Sequence, residues 1–237
     1  MSVPQLHKVP QRARAIAIYG GAFDPVHVGH MAVARAVHRR FHIDEVHFVP
    51  AGRHPFKSKQ HASPFAHRYA MLALACAENP HFFPSLAEAG EDGGGQHIHY
   101  SVDTVKHFRR QLRHPHDRLY FVLGVDSFIE IPMWRDYETL LTLCDFVVVS
   151  RPGFKMNSLR LVIPPDLLAR PHDGDHGKTA ADRKTIHLRK TQIHILDNVA
   201  SHVSSTEIRR RVHRGQSIHG LVPVRVEEYI VRQALYT

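Results

Sequence analysis

The residues best suited to chemistry form two clusters far apart in the chain. The first is Gly20-Gly21-Ala22-Phe23-Asp24-Pro25-Val26-His27-Val28-Gly29-His30. Glycines let a backbone approach an anion closely. His27 and His30 stand three apart, so one helical turn can aim both at the same anion. The second cluster is Ser204-Ser205-Thr206-Glu207-Ile208-Arg209. Ser204 and Glu207 have the spacing of a capping box, which starts a helix. Ser205 and Thr206 carry hydroxyls that can donate to phosphate oxygens, and Arg209 adds a planar guanidinium fork. A helix start also offers free N–H groups and the positive end of a dipole. Together the clusters suit the grip of one polyphosphate from two sides.

The surrounding residues supply the elements that must hold these clusters. Ala15 to Tyr19 is a short apolar run that reads as a buried parallel strand, and Met31 to His38 reads as a helix. The first cluster therefore sits at a strand-to-helix junction, where open α/β sheets bind ligands. Further strands are expected at 45–50, 82–83, 119–123, 146–149 and 192–196, the last of the series. Ser63 and Pro64 read as the N-cap and first position of a helix through Ala75, and Ser101 to Leu112 as another. Gly215 fits a helix C-cap, and Pro223 opens a final amphipathic helix through Leu235. This alternation predicts an α/β fold: one doubly wound, Rossmann-like parallel sheet with helices on both faces, in a single domain. Residues 1–13 read as a tail and 14–237 as the domain. Residues 154–190 are rich in proline, glycine and charge, and are expected to form an exposed insertion. Within it, His172, Asp173, Asp175 and His176 read as solvated rather than as a metal site.

Composition narrows the partners. The chain has 237 residues, 43% of them hydrophobic, with a formal net charge of +9. A basic balance favours anionic ligands. Cys76 and Cys144 sit in apolar runs and read as buried thiols, which suits a reducing cytoplasm. No run is long enough for a membrane span or a signal peptide, so no membrane partner is expected. Aromatic platforms for single-stranded nucleic acid are missing, so nucleic acid is not expected either. A homo-oligomer stays open.

The first cluster resembles the His-x-Gly-His signature of the nucleotidyltransferase superfamily. With it, the Pro50–Lys57 loop, His67-Arg68-Tyr69-Ala70-Met71-Leu72, Tyr100-Ser101-Val102-Asp103-Thr104, Gly124-Val125-Asp126, Trp134 and Ser204–Arg209 follow the order seen in bacterial nicotinate-nucleotide adenylyltransferases. The resemblance omits the first dozen residues and 154–190. Ala22 stands where that family commonly has Thr, and His54-Pro55-Phe56-Lys57 where it commonly has Pro-Pro-His-Lys.

The resemblance implies transfer of AMP from ATP to nicotinate mononucleotide, with Mg2+ carried on ATP and no metal held by the protein. It implies catalytic roles for His27, His30 and Arg209. It implies ATP or phosphate contacts at Gly20, Gly21, Ala22, Phe23, Lys57, Gly124, Asp126, Ser204, Ser205 and Thr206. Tyr100, Ser101, Thr104 and Trp134 would line the nicotinate mononucleotide pocket, with the indole stacked on the pyridine ring. Other readings stay open: an adenylyltransferase preferring nicotinamide mononucleotide or another phosphate acceptor such as pantetheine phosphate, or a non-catalytic nucleotide- or RNA-binding module.

Overall fold

The computed structural model describes residues 12–52, 62–90, 99–150, 157–170, 184–197, 199 and 203–237. Its strands are β1 (Ala15–Gly21), β2 (Glu45–Pro50), β3 (Phe82–Pro84), β4 (Arg118–Gly124), β5 (Asp145–Val149), β6 (Thr185–His187) and β7 (Gln192–Leu196). Its α-helices are α1 (Val28–Phe41), α2 (Phe65–Cys76), α3 (Ser101–Arg109), α4 (Val125–Ile129), α5 (Tyr137–Leu141), α6 (Asn157–Arg160), α7 (Ser205–His213) and α8 (Val224–Arg232).

One seven-stranded sheet runs β3-β2-β1-β4-β5-β7-β6. β1 pairs in parallel with β2 on one side and with β4 on the other. The strand order therefore reverses at β1, and a crevice opens at its carboxyl end. Alternation along the strands divides the core between the two faces. Ala17 and Tyr19 face a cluster with Val37, Met71, Ile208 and Val226 from α1, α2, α7 and α8. Ile16 and Ile18 face the other, with Val105, Phe128, Leu140 and Leu159 from α3, α4, α5 and α6. Both faces are covered, as in a doubly wound fold.

The expected doubly wound sheet is present and mostly parallel, with β6 antiparallel to β7 and covering its edge. Three expectations need correction. The segment 154–190 is not simply an exposed insertion: Leu159 and Ile186 are fully buried in the core and Ile163 nearly so. Hydrophobic residues spaced too sparsely for a helix or strand pattern hid this from a periodicity argument. The four acidic and histidine residues at 172, 173, 175 and 176 lie outside the described residues. Finally, α2 begins at Phe65 with Pro64 as its cap position, so the Ser63 side chain does not cap it. α3 ends at Arg109, short of Leu112. α7 ends as expected: Gly215 adopts φ +65 and its N–H reaches Val212 O, while Gln216 N–H reaches Arg211 O. Among the described residues, no helix is long and apolar enough to cross a membrane.

Candidate active site

The loop between β1 and α1 is built on an aromatic floor. Phe23 takes a left-handed φ of 50, which folds its ring back under the strand end. A Cβ on Gly21 would lie 3.0 Å from that ring, so this position has no room for a side chain. The Phe23 ring meets Tyr19 and His30 edge-on at 5.5 and 5.0 Å. Phe23 is only 1% exposed, so a ligand would meet its backbone, not its ring.

Asp24 is the hub of this loop, and it is only 4% exposed. Its Oδ2 accepts from Ser63 N–H at 3.1 Å and its Oδ1 from the Tyr236 hydroxyl at 2.6 Å. Buried Arg68 donates from Nε to Ser63 O and from Nη1 to Ala22 O, at 2.9 and 3.0 Å. Burial lowers the Arg68 pKa, while Asp24, Tyr236 and Glu88 oppose that fall. Val28 N–H donates to Leu221 O at 3.0 Å, fixing the start of α1. Asp24 was legible only as part of a turn, and Arg68 only within a family motif. Tyr236 carried no local signal, because its partner lies 212 positions away.

His27 is the N-cap of α1 and His30 lies in its first turn. Their rings stack at 3.7 Å between centroids, tilted by 27°. His30 Nδ1 accepts from His27 N–H at 3.2 Å. A neutral His30 must therefore carry its proton on Nε2, which makes that atom a donor. Among the described residues, His27 Nδ1 is buried with no hydrogen-bond partner. Burial lowers the His27 pKa to about 4. Burial, and then the charge of His27, lower that of His30 well below its usual value. Both imidazoles are thus neutral at pH 7.

α7 docks onto the same loop. Ser204 caps it, accepting from Glu207 N–H at 3.2 Å. Ser205 Oγ donates to Pro25 O at 2.9 Å and Arg209 Nη1 donates to Asp24 O at 2.6 Å. The expectation of a Ser205 hydroxyl aimed at phosphate is therefore corrected: its proton goes to the loop. Thr206 stays exposed, with a 3.5 Å contact to Arg209. Arg210 and Arg211 both pair with Glu207, which separates Arg209 from its neighbours. The N-termini of α1 and α7 thus meet across Asp24 and Pro25, as the paired clusters predict.

The remaining predicted residues form a rim beside this loop. The Phe121 ring lies 3.5 Å from where a Gly20 side chain would begin. It meets half-buried Trp134 edge-on at 6.3 Å. Arg135 then lies over the Tyr100 ring, 4.6 Å from its centroid. Tyr100 caps α3, and Ser101 is its first residue. Thr104 is buried and donates to Glu88 Oε1 at 2.7 Å, so its hydroxyl holds the framework and is not open to a ligand. Glu88 Oε2 in turn accepts from Gly52 N–H at 3.1 Å. Glu88 and Arg135 were both missed, since neither sits in a motif. Gly124 caps α4 with open space above its Cα, and Asp126 is exposed in the first turn. Lys57 lies outside the described residues. Among the described residues, no group of three or more metal-ligating side chains converges.

Comparisons with known proteins agree with this geometry. A cytidylyltransferase-like family model matches residues 18–211. A protein of Moorella thermoacetica named "Probable nicotinate-nucleotide adenylyltransferase" is 38% identical over 95% of this chain and 93% of its own. One of Pelobacter propionicus with the same name is 36% identical over 94% and 98%. The structure of Plasmodium falciparum nicotinic acid mononucleotide adenylyltransferase complexed with NaAD shares the fold, with a TM-score of 0.68 and 20% identity, over 94% of this chain and 97% of that one. The chain belongs to the cytidylyltransferase-like family, and within it to the nicotinate-nucleotide adenylyltransferases.

Proposed function

We propose that this protein transfers AMP from ATP to nicotinate mononucleotide, forming nicotinate adenine dinucleotide and pyrophosphate in NAD biosynthesis. The observation that carries the reading is the meeting of two helix N-termini on one loop, with Arg209 bonded to Asp24 O and Ser205 to Pro25 O. Names and lengths of the relatives support it.

The acceptor's phosphate oxygen attacks the α-phosphorus of ATP while the bond to the β-phosphate's bridging oxygen breaks. A phosphate monoester has a second pKa of about 6 and is mostly dianionic at neutral pH. No general base is needed. Rate comes from alignment and from stabilising charge on the departing pyrophosphate. In this reading His30 donates from Nε2 to a phosphate oxygen, and the orphaned His27 Nδ1 gains a partner. Arg209 and the N–H groups of α1 and α7 share the negative charge. Ala22 and the backbone of Gly20, Gly21 and Phe23 form the floor under the triphosphate; Lys57, outside the described residues, keeps its assignment to the triphosphate from the resemblance alone. Gly124 and Asp126 face the ATP ribose, and Trp134, Tyr100 and Ser101 border the acceptor. Mg2+ enters as part of Mg–ATP. Asp24 itself is tied into the loop, each carboxylate oxygen accepting a hydrogen bond. A cytoplasmic setting belongs to the same proposal, supported by two free, buried cysteines.

Pyrophosphate release, measured with ATP and nicotinate mononucleotide, nicotinamide mononucleotide or pantetheine phosphate, tests the reading. The nicotinate acceptor should give the highest catalytic efficiency. Silence with all three overturns an enzymatic role, and a better rate with another acceptor overturns the assigned substrate.

A further inference from the structure

We infer that Arg135 determines acceptor specificity by pairing its side chain with the carboxylate of the pyridine ring. The inference rests on the proposed acceptor. Arg135 follows Trp134 at the end of a 3₁₀ turn, and Asp136 next to it turns the chain at φ 49. This corner projects the exposed Arg135 side chain across to α3, where its guanidinium carbon sits 4.6 Å from the Tyr100 ring centroid.

Among the described residues, the arginines around the β1–α1 loop already have partners. Arg68 and Arg209 donate to backbone carbonyls of the phosphate loop, and Arg210 and Arg211 pair with Glu207. Arg135 has no carboxylate partner among the described residues, although Asp136 and Glu138 are close in sequence. Stacking on Tyr100 holds its plane while leaving the N–H edge uncommitted. A flat, always-charged fork of this kind matches a carboxylate with two parallel hydrogen bonds. A carboxamide offers one acceptor oxygen and no charge, so the fork would discriminate against it. Of the two aromatic groups expected around the acceptor ring, Tyr100 lies under the Arg135 guanidinium and Trp134 precedes Arg135 in the chain.

The test compares catalytic efficiency on nicotinate and nicotinamide mononucleotides for the wild-type chain, Arg135→Gln and Arg135→Lys, with the Michaelis constant for ATP as control. Arg135→Gln should lower the nicotinate-to-nicotinamide preference about tenfold or more, through the nicotinate arm, as expected for losing a charge-assisted hydrogen bond. Arg135→Lys should recover part of the preference but not its bidentate share. An unchanged preference in Arg135→Gln, or an equal fall on both acceptors, overturns the inference and leaves Arg135 as a lid on Tyr100. A wild-type chain silent with both acceptors instead overturns the proposed function and this inference with it.

Discussion

Replacing Tyr236 with Phe removes one oxygen and keeps the ring in place against the core. The lost bond is the 2.6 Å contact from the Tyr236 hydroxyl to Asp24 Oδ1. Burial, and then the bond to Asp24, raise the Tyr236 pKa well above its ordinary value, so the hydroxyl is a donor at every working pH. Asp24 is almost fully buried, and water cannot replace the missing donor at low cost. A hydrogen bond to a charged group contributes about 1.5–3 kcal/mol. For a chain of this size each kcal/mol moves the midpoint about 2–4 °C, so Tyr236→Phe should melt about 3–12 °C lower. The effect should also reach the site, because Asp24 O and Ala22 O anchor Arg209 and Arg68. The Michaelis constant for ATP should rise while that for the acceptor changes less. Urea unfolding of Tyr236→Phe, Asp24→Asn and the double variant gives the coupling directly, expected at about 1 kcal/mol or more. Additive losses, or a Tyr236→Phe chain as stable as the parent, would refute the reasoning that Asp24 is held from both ends of the sequence.

Four further outcomes follow from the site and the core. His30→Ala should reduce turnover about a hundredfold, as for loss of one preorganised donor, with acceptor affinity by calorimetry nearly unchanged; near-normal turnover would leave His30 a helix-start residue only. Acid should destabilise the fold: with His27 lowered from 6.5 to about 4, the unfolded chain takes up the proton first, so stability is full above about pH 6.5 and falls toward pH 4. This one group accounts for about 2 kcal/mol at pH 5, and urea unfolding of His27→Gln should show a correspondingly flatter pH dependence. Trp134, the chain's single tryptophan, should lose emission as nicotinate mononucleotide saturates it, and Trp134→Ala should weaken acceptor use by about 1–3 kcal/mol; equal effects on both substrates would make it a core residue. Ile186→Ala should cost about 2–5 kcal/mol, and a neutral result would restore 184–190 to the status of a loose insertion.

Local pattern made most of the frame legible. Apolar runs, glycines and helix starts are encoded by neighbours, so β2, β7 and the α7 cap emerge from a few adjacent residues each. The pairing of the two clusters was also readable, because each carries a recognisable helix start. What pins them together was not. Asp24, Arg68 and Tyr236 tie the loop down through side-chain bonds that span 39, 46 and 212 positions, and no spacing rule covers such distances. Ser205 shows the same limit in reverse: its type suggested a phosphate donor, and only the fold reveals that Pro25 O takes the proton. β6 escaped notice because three residues, one of them fully buried, are too few for a period.

The separation between these partners also sets an order of events during synthesis. Asp24 leaves the ribosome long before Arg209 and Tyr236, 185 and 212 positions later. At about 5–20 residues per second, that interval is about 10–40 s. Throughout it the β1–α1 loop is present without the full set of its late anchors. α1 can form and β1 can pair with β2, yet Arg209, Ser205 and the Leu221 carbonyl that fixes Val28 do not exist. The β1–α1 loop is therefore completed only near the close of translation, when α7 and α8 dock onto it.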